Sequence, residues 1–468
     1  MTKIKIKVPT NQNFNNLEAA LIVNKTGFQN SVKSDAELKN VKKNLSDFSL
    51  TFGDLRNQEK YKNLVLYRFR KNFEKKDDSE IVLKITQDFL HKENIYFQTG
   101  LYVGKIFIGD FEIDIESRND NSERLLFKRM LNYANNIFVD KSLDNSEKDE
   151  KSDFPLFEYL FLSSLQKASV LGFPQEYKKN IYHDLKVHGG LDTNNYIRKD
   201  IPFTGKISSR KNERNYVQSI IDVLFSALEC CKEEIKNSFP RLSFITSELK
   251  ASYSGRRPDL RTILNAKNHK TLNNPMFSGF KQTIQYADIL LHKQGLKNSS
   301  SITTKNKISG FLLDISELWE VYLEKLLKKN FPDWSVSSQT ELDLYKESFF
   351  NRQNYPDIIM EQDNKIVIFD AKFKRMNFEN GDVDRNDLFQ IHSYAGYYRE
   401  LGKEVVLCGL IYPLKQRFAQ NNCFTTLYGL VNSLTKFVIN GIYIPQEESG
   451  SLEEYENDFI EQIKSVID

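Results

Sequence analysis

The chain has 468 residues and a mass of 54.7 kDa, a length that suits two or three domains. Its 66 Lys and Arg against 63 Asp and Glu give a formal charge of +3, which excludes a uniformly polybasic protein but not a local basic groove. No apolar run reaches about 18 residues, so we expect no transmembrane helix. The first ten residues lack the apolar block of a signal peptide, and we expect a cytoplasmic protein.

The first segment, residues 1–145, predicts a β-rich domain because short alternating apolar stretches recur along it. In chain order the predictions are a strand at Lys3–Val8, a strand at Leu64–Phe69, a helix at Ser79–His91 and a hairpin over residues 101–117. The hairpin is the clearest of them, since Gly109-Asp110 places Gly first in a two-residue turn.

Two polar stretches, residues 140–153 and 294–307, predict linkers or exposed loops. Between them we expect a mainly helical middle domain, residues 154–293. Its apolar residues recur three and four positions apart in three predicted helices, at Phe157–Leu171, Tyr216–Ile235 and 276–293.

Part of the middle domain is basic. Between Lys206 and Pro275 there are 13 Lys and Arg against 7 Asp and Glu, a net charge of +6. Arg256, Arg257 and Arg261 lie in its most basic part. The cluster fits either a solvated charged face or a surface that contacts a DNA backbone.

The third segment, residues 308–468, alternates helix and strand as an α/β domain does. The predictions are a helix from Phe311 to about Lys329, a strand–turn–strand hairpin, a helix from about Asp384 to Leu401, and a strand at Glu404–Tyr412. The fold class expected for the whole chain is therefore a multidomain α+β protein.

The hairpin of the third segment brings two acids together. If Asp363-Asn364 form its turn, Gln362 pairs with Lys365. The same register sets Asp357 opposite Asp370, with Cβ atoms about 5 Å apart. At that separation both carboxylates can reach a single divalent cation, whereas a shift of one residue would separate them onto opposite faces.

Lys372 follows Asp370 by two residues and so shares its face of the strand, while the alternate residues Val367, Phe369, Ala371 and Phe373 are expected to face a core. Hydrolysis of a phosphodiester needs charge neutralisation on the phosphate and an activated water, which Mg²⁺ held by one or two carboxylates supports. A neighbouring lysine can orient the water or stabilise the transition state. The sequence offers no C-x-x-C or H-E-x-x-H pattern, so a hard cation on carboxylates is the expected metal.

Four further residues are candidates for a supporting role. Gln390 and Tyr394 are one turn apart in the following helix and share a face that could line the site. Glu320, with Glu317 as its substitute, lies on one edge of the preceding apolar helix and is a candidate third acid. Each of the four also fits a solvent-facing position.

The order of these motifs resembles the PD-(D/E)xK nuclease superfamily, in the version with the Q-x-x-x-Y helix of RecB-like nucleases. The matching residues are Pro356-Asp357, Asp370-Ala371-Lys372, and Gln390 with Tyr394. In that superfamily the two acids bind Mg²⁺ and the lysine assists hydrolysis. The resemblance implies the same roles for Asp357, Asp370 and Lys372, in a C-terminal PD-(D/E)xK nuclease domain.

The resemblance extends to the McrC-like proteins, which are nuclease subunits of GTP-dependent restriction systems that include the LlaJI type. The hairpin at 100–118, the stretch at 201–207, the helix at 311–327 and the nuclease core occur there in the same order. Those proteins often have Asp-Thr-Lys where this chain has Asp370-Ala371-Lys372, a departure that bears on the subfamily. The resemblance implies a Mg²⁺-dependent endonuclease subunit for double-stranded DNA, driven by a separate McrB-like AAA+ GTPase hexamer that the N-terminal domain enters.

We expect GTP to be used by that partner and not by this chain. Thr204-Gly205-Lys206 lacks the flanking residues of a Walker loop, since Asp200 and Ile207 replace the required Gly and Ser or Thr. Two other functions stay open. One is a RecB-like repair exonuclease without a GTPase partner, and the other is a non-catalytic adaptor of an NTPase ring, for which the acid–acid–lysine set has no use.

Overall fold

A computed structural model describes residues 4–11, 48–57, 61, 63–67, 77–87, 95–108, 111–118, 125–134, 156–237, 239, 241–298, 308–344, 352–374, 383–417, 424–430, 434–445 and 452–467. The chain divides into two compact units, one made of residues 1–136 with 304–468 and the other of residues 137–303. The predicted linker at 140–153 and the Gly109-Asp110 turn lie outside the described residues. Of the predicted linker at 294–307, residues 294–298 are described and belong to a helix.

The strands, in chain order, are β1 (Ile4–Pro9), β2 (Phe48–Thr51), β3 (Asn63–Tyr67), β4 (Ile81–Gln87), β5 (Ile95–Thr99), β6 (Tyr102–Ile108), β7 (Phe111–Glu116), β8 (Gln175–Asp184), β9 (Gly190–Leu191), β10 (Ile207–Tyr216), β11 (Ile308–Asp314), β12 (Ser335–Ser337), β13 (Leu342–Leu344), β14 (Arg352–Asn354), β15 (Ile358–Gln362), β16 (Lys365–Ala371), β17 (Glu404–Leu414), β18 (Phe424–Thr426) and β19 (Lys436–Tyr443).

The α-helices are α1 (Phe52–Asn57), α2 (Leu125–Ala134), α3 (Leu156–Ala168), α4 (Thr193–Lys199), α5 (Gln218–Glu229), α6 (Glu233–Asn237), α7 (Leu242–Ser252), α8 (Leu260–Lys267), α9 (Gly279–Asn298), α10 (Ile315–Asn330), α11 (Arg385–Glu400) and α12 (Leu452–Ile467). Among the described residues, none of the helices combines the length and the apolar character that crossing a membrane requires.

The first unit begins with a five-stranded sheet in the order β1-β7-β6-β11-β3. The predicted edge strand at Lys3–Val8 and the hairpin over 101–117 are both confirmed, with Ile108 paired to Phe111. A second sheet, β2-β4-β5, shares its core, which includes Ile85, Ile106 and Ile113.

The predicted helix at Ser79–His91 is wrong. Residues Ile81–Gln87 form β4, which pairs antiparallel with both β2 and β5. Val82, Leu83 and Ile85 are buried on its two faces. A short apolar run that is buried on both sides satisfies helical and strand spacing alike, and here the partner strands decide between them.

The predicted helix start at Phe311 is also wrong, because the residues before 315 form β11. This strand lies between β6 and β3, and it joins sequence from the last third of the chain to the N-terminal sheet. Gly310 has φ +148°, and a Cβ there would lie 2.1 Å from the Lys105 carbonyl oxygen, so only glycine permits this close pairing. Helix α10 then begins after Asp314, whose carboxylate accepts the Ser316 N–H at 3.2 Å.

The same unit contains a six-stranded sheet in the order β12-β15-β16-β17-β19-β18. Strand β16 is central, antiparallel to β15 and parallel to β17. Helix α11 packs on one face, where Ile366 and Ile368 join Ile391 and Tyr394 in one core cluster. Helix α10 packs on the other face, where Trp319 contacts Phe373 with ring centroids 6.0 Å apart. Both faces are therefore buried, as is usual for parallel strands.

A buried carboxylate, that of Glu456 in α12, holds three helices of the first unit together. Arg129 of α2 donates to it through Nε at 2.7 Å and Nη2 at 2.5 Å. The hydroxyls of Tyr322 in α10 and Tyr133 in α2 donate at 2.6 and 3.2 Å. All these donors converge on one carboxylate, which is 3% exposed.

The second unit contains more sheet than the sequence predicted. Helices α3, α5 and α9 confirm the three predicted helices in position, although Tyr216–Ile235 is divided into α5 and α6. Strands β8 and β10, ten residues each, were not predicted and pair antiparallel along their whole length, with the short β9 on the other side of β10. The antiparallel pair of β8 and β10 is called the ribbon.

Candidate active site

The hairpin β15–β16 has the register that the sequence predicts. Gln362 pairs with Lys365 and Ile358 with Phe369, around a turn where Asp363 has φ +54°. Asp357 directly precedes β15 and Asp370 lies near the end of β16. The backbone N–H of Ala371 donates to Asp357 Oδ2 at 2.7 Å, which ties the first acid to the strand that carries the second.

Asp370 is a carboxyl group inside the protein core. Its side chain is 1% exposed. Lys372 Nζ lies 2.5 Å from its Oδ2 in an ion pair, and neither carboxylate oxygen makes a hydrogen bond of good geometry. Burial raises the pKa of Asp370, and the positive charge of Lys372 only partly opposes this.

The same cluster of charges shifts the pKa values of Asp357 and Lys372. Burial raises the pKa of Asp357 well above its ordinary value, and repulsion from Glu320 and Asp370 raises it further. Burial would lower the pKa of Lys372, but attraction to the carboxylates of Asp370 and Asp357 outweighs it and raises that pKa instead. The site is therefore a buried group of acids whose mutual repulsion one ammonium offsets in part.

A chain of hydrogen bonds fixes the direction of Lys372. Its Nζ donates to Gln390 Oε1 at 3.0 Å, Gln390 Nε2 donates to the Tyr394 hydroxyl at 2.8 Å, and that hydroxyl donates to the Tyr355 carbonyl at 3.2 Å. The structure thus brings both predicted residues of α11 beside the lysine. The Tyr355 carbonyl is a partner that the sequence did not indicate.

The two candidate third acids differ in position. Glu320 lies close enough for its charge to raise the pKa of Asp357, more than any other charge does, and it accepts a hydrogen bond from Gln339 Nε2 at 3.3 Å. Glu317 is buried in the first turn of α10, where its backbone N–H donates to Asp314 Oδ1 at 3.2 Å. The pKa shift of Asp357 favours Glu320 over Glu317 as a member of the site.

Sequence reasoning missed Asp387 and Lys374. The buried Asp387 carboxylate lies 3.6 Å from Lys372 Nζ and 2.5 Å from Lys374 Nζ, and it accepts the Tyr412 hydroxyl at 3.4 Å. Asp387 precedes Gln390 by three residues, so it lies on the same face of α11, and this spacing was the available signal.

The residues present fit a hard divalent cation held by a small number of carboxylates. In the described part of the chain, no group of three or more His, Cys, Asp or Glu side chains is arranged to hold a metal ion. Mg²⁺, however, usually takes only one or two protein carboxylates and keeps several waters. The two unsatisfied oxygens of Asp370, beside Asp357, are the donors that such an ion requires.

One solved structure supports this architecture. This chain is similar in fold to one chain of the refined half-complex from the tetradecameric assembly of Thermococcus gammatolerans McrB AAA+ hexamers with bound McrC. The TM-score is 0.58 and the identity 15%, and the match covers 99% of this chain and 100% of that chain. A chain of the cryo-EM structure of the Thermococcus gammatolerans McrBC complex has TM-score 0.36 and 17% identity over 70% of this chain and 88% of that chain. A comparison with curated proteins gave no match.

The family described as McrBC 5-methylcytosine restriction system component matches residues 97–413. This range contains Asp357, Asp370 and Lys372, together with the helix of Gln390 and Tyr394. The match extends over more than half of the 468 residues, and it agrees with the resemblance to McrC-like proteins that the motifs indicate. The chain belongs to the McrBC family of restriction system components.

Proposed function

We propose that this chain is the Mg²⁺-dependent DNA endonuclease subunit of a GTP-dependent restriction system, and that it acts on foreign double-stranded DNA in the cytoplasm. A separate McrB-like AAA+ GTPase hexamer would drive it. Family membership supports the restriction context. The observation that supports the nuclease activity is the burial of Asp370 beside Asp357, with the Lys372 ammonium 2.5 Å from Asp370 Oδ2.

In this proposal Asp357 and Asp370 hold Mg²⁺, with Glu320 close by. When bound, the ion supplies Lewis acidity at the scissile phosphate. Lys372 directs its ammonium toward the attacking water or the phosphate oxygens, where negative charge develops in the transition state. Because burial lowers the local dielectric constant, this fixed positive charge acts more strongly than it would in water.

Gln390 and Tyr394 have a positioning role in the same proposal. The Gln390 amide nitrogen is engaged by Tyr394, so the amide oxygen is the atom that faces Lys372. Tyr394 is anchored in turn by the Tyr355 carbonyl. A lysine held in this way loses little conformational freedom when substrate binds, which favours catalysis.

The test is a cleavage assay on closed circular and linear double-stranded DNA, with Mg²⁺ or EDTA, and with or without the GTPase partner and GTP. We expect cleavage of the circular substrate that requires Mg²⁺, the partner and GTP. Asp370→Asn should reduce the rate at least about 100-fold. The matched control is Asp363→Asn in the exposed turn of the same hairpin, which should cleave like the unchanged chain.

Each rival function has its own outcome in this assay. A RecB-like exonuclease would degrade only the linear DNA and would need no GTPase. A non-catalytic adaptor would leave the rate unaffected by Asp370→Asn. Cleavage that persists in EDTA would contradict the metal-dependent mechanism.

A further inference from the structure

The ribbon of the second unit has two chemically different faces. Residues directly opposite in an antiparallel pair point to the same side, and here the partners of β8 and β10 include Tyr177 with Arg214, Lys179 with Asn212 and Ile181 with Arg210. These six residues, all exposed, form what is called the cationic face. Tyr177 and Ile181 are unusually open for their types, at 76% and 60% exposure.

On the opposite face of the ribbon, the acid Glu213 interacts with other side chains of the ribbon. Glu213 accepts hydrogen bonds from the Tyr182 hydroxyl at 2.6 Å and from Asn180 Nδ2 at 2.8 Å, and its other oxygen lies 3.1 Å from Lys211 Nζ. These interactions, that of Tyr182 first, lower the pKa of Glu213 to about 2. Glu213 is therefore engaged on the face away from Arg210 and Arg214.

No such neutralisation occurs on the cationic face. Within the described residues, Lys179, Arg210 and Arg214 make no ion pair. Asp192 is an acid close enough to interact with them, and its pKa is lowered by hydrogen bonds from Asn195 and then by the charges of Arg210 and Lys179. Its carboxylate is buried as the N-cap of α4, so a surplus of positive charge remains on the exposed side.

The positive charges also extend along the ribbon, so that they can meet more than one phosphate. Arg210 and Arg214 lie four residues apart on β10, about 14 Å, and Lys179 lies between them on the adjacent strand. One strand of duplex DNA presents a phosphate about every 3.4 Å along the helix axis. Guanidinium groups bind phosphate oxygens in a bidentate manner.

We propose that the cationic face of the ribbon binds duplex DNA through its phosphates, at a surface other than the candidate active site. This inference rests on the proposed function, because the proposed DNA substrate is the polyanion that the face fits. Lys179, Arg210 and Arg214 contact phosphates. Tyr177 and Ile181 supply apolar contacts to sugars or base edges.

The test measures binding of the full chain to a short fluorescein-labelled DNA duplex by fluorescence anisotropy, in EDTA so that no cleavage occurs. The variant Arg210→Gln/Arg214→Gln is compared with the matched control Lys178→Gln/Lys211→Gln, which removes the same charge from the other face. We expect the arginine variant to bind roughly 10-fold or more weakly. The slope of log affinity against log salt, measured from about 50 to 200 mM, should fall by about 2.

Two results would overturn the inference. One is an equal loss of affinity in both double variants, which would show that only total charge matters. The other is an arginine variant with unchanged DNA affinity and salt slope that no longer associates with the GTPase, which would assign the face to a protein partner. The anisotropy experiment measures binding in the absence of cleavage. If the chain never cuts DNA, the proposed function is refuted, but the experiment still decides whether the cationic face binds DNA.

Discussion

The Asp370 carboxyl lies in a buried position, where its ionisation costs free energy. The side chain is buried, its charged neighbour Lys372 lies 2.5 Å from Oδ2, and burial raises the pKa of Asp370 in spite of that lysine. A carboxyl whose pKa is higher in the folded chain than in the unfolded one destabilises the fold once it is ionised. A group that opposes folding in this way is typical of a functional site, where activity is retained at the expense of stability.

The variant Asp370→Asn should therefore melt at a higher temperature than the unchanged chain at pH 7 without metal. In the unfolded chain the Asp370 carboxyl ionises above its ordinary pKa of 3.8. In the folded chain it ionises only above its raised pKa. The penalty thus begins near pH 4 and grows with pH, so the difference between the two chains should shrink as the pH falls toward 4. Calorimetry measures both trends, and a variant that melts lower at pH 7 would contradict the prediction.

Magnesium should reverse the order of the two chains. A ligand that binds only the folded state stabilises it, by about 2.7 kcal/mol at a concentration 100 times its Kd. We expect Mg²⁺ to raise the melting temperature of the unchanged chain and of Asp363→Asn, but not of Asp370→Asn. EDTA should remove the effect. An equal response in all three chains would place Mg²⁺ elsewhere.

Removing Gln390 should slow cleavage without unfolding the chain. Gln390→Ala takes away the acceptor that directs Lys372, and we expect the single-turnover rate to fall about 10- to 100-fold with DNA affinity unchanged. Tyr394→Phe should cost less, because it leaves the bond between Lys372 and Gln390 in place. The exposed Ser393→Ala on the same helix is the control, and a larger loss in Tyr394→Phe than in Gln390→Ala would exclude this order of roles.

The candidate site was only partly predictable at the level of single residues. Side chains alternate between the two faces of a strand, so the spacing of Asp357, Asp370 and Lys372 was enough to predict that they share a face. Asp387 was missed because an acid on a helix is usually solvated, and its burial depends on Lys374 and Tyr412, which come from two other elements. No local pattern encodes such a contact.

Among the elements, the helices joined by Glu456 are the ones most dependent on one residue. Glu456→Ala should lower the free energy of unfolding by about 3 kcal/mol, because it leaves Arg129 and the Tyr322 hydroxyl without their partner in a largely buried place. Urea unfolding measures the change. Glu461→Ala, exposed on the same helix, should stay within about 0.5 kcal/mol, and a similar loss in both variants would mean that helix propensity is responsible.

The elements that were predicted correctly are those whose pattern admits one interpretation. The hairpin β15–β16 was predicted to the residue because its polar turn fixes the register. Residues Ile81–Gln87 fit two kinds of element, and only pairing with β2 and β5 selects the strand. The start of α10 had a local signal, the Asp314 cap before Ser316, but the apolar stretch ahead of it obscured the boundary.

At the scale of the whole molecule, the sheet that contains β11 joins distant parts of the sequence. Residues 308–468 alone would leave β11 without β6 and β3, and α10 and α12 without α2. We expect a chain of only these residues to melt at a much lower temperature than residues 1–136 joined by a short Gly/Ser linker to 304–468. Circular dichroism follows both, and equal melting temperatures would show that the C-terminal part folds by itself.

Local patterns could not predict this long-range pairing. Polar stretches suggested only where the chain changes character. The return of residues 308–314 to the N-terminal sheet depends on a strand-to-strand match across some 200 intervening residues. Periodicity identifies elements, but it does not tell which distant elements pair.

The position of β11 also has a consequence for synthesis on the ribosome. Strands β3 and β6 emerge early, yet the strand that separates them is made last, about 240 residues after β3. Both edges are open once β6 is made, about 200 residues before β11, and at about 5–20 residues per second this lasts roughly 10 to 40 s. During that interval a chaperone or a second nascent chain on the same messenger has access to the place that β11 will later occupy.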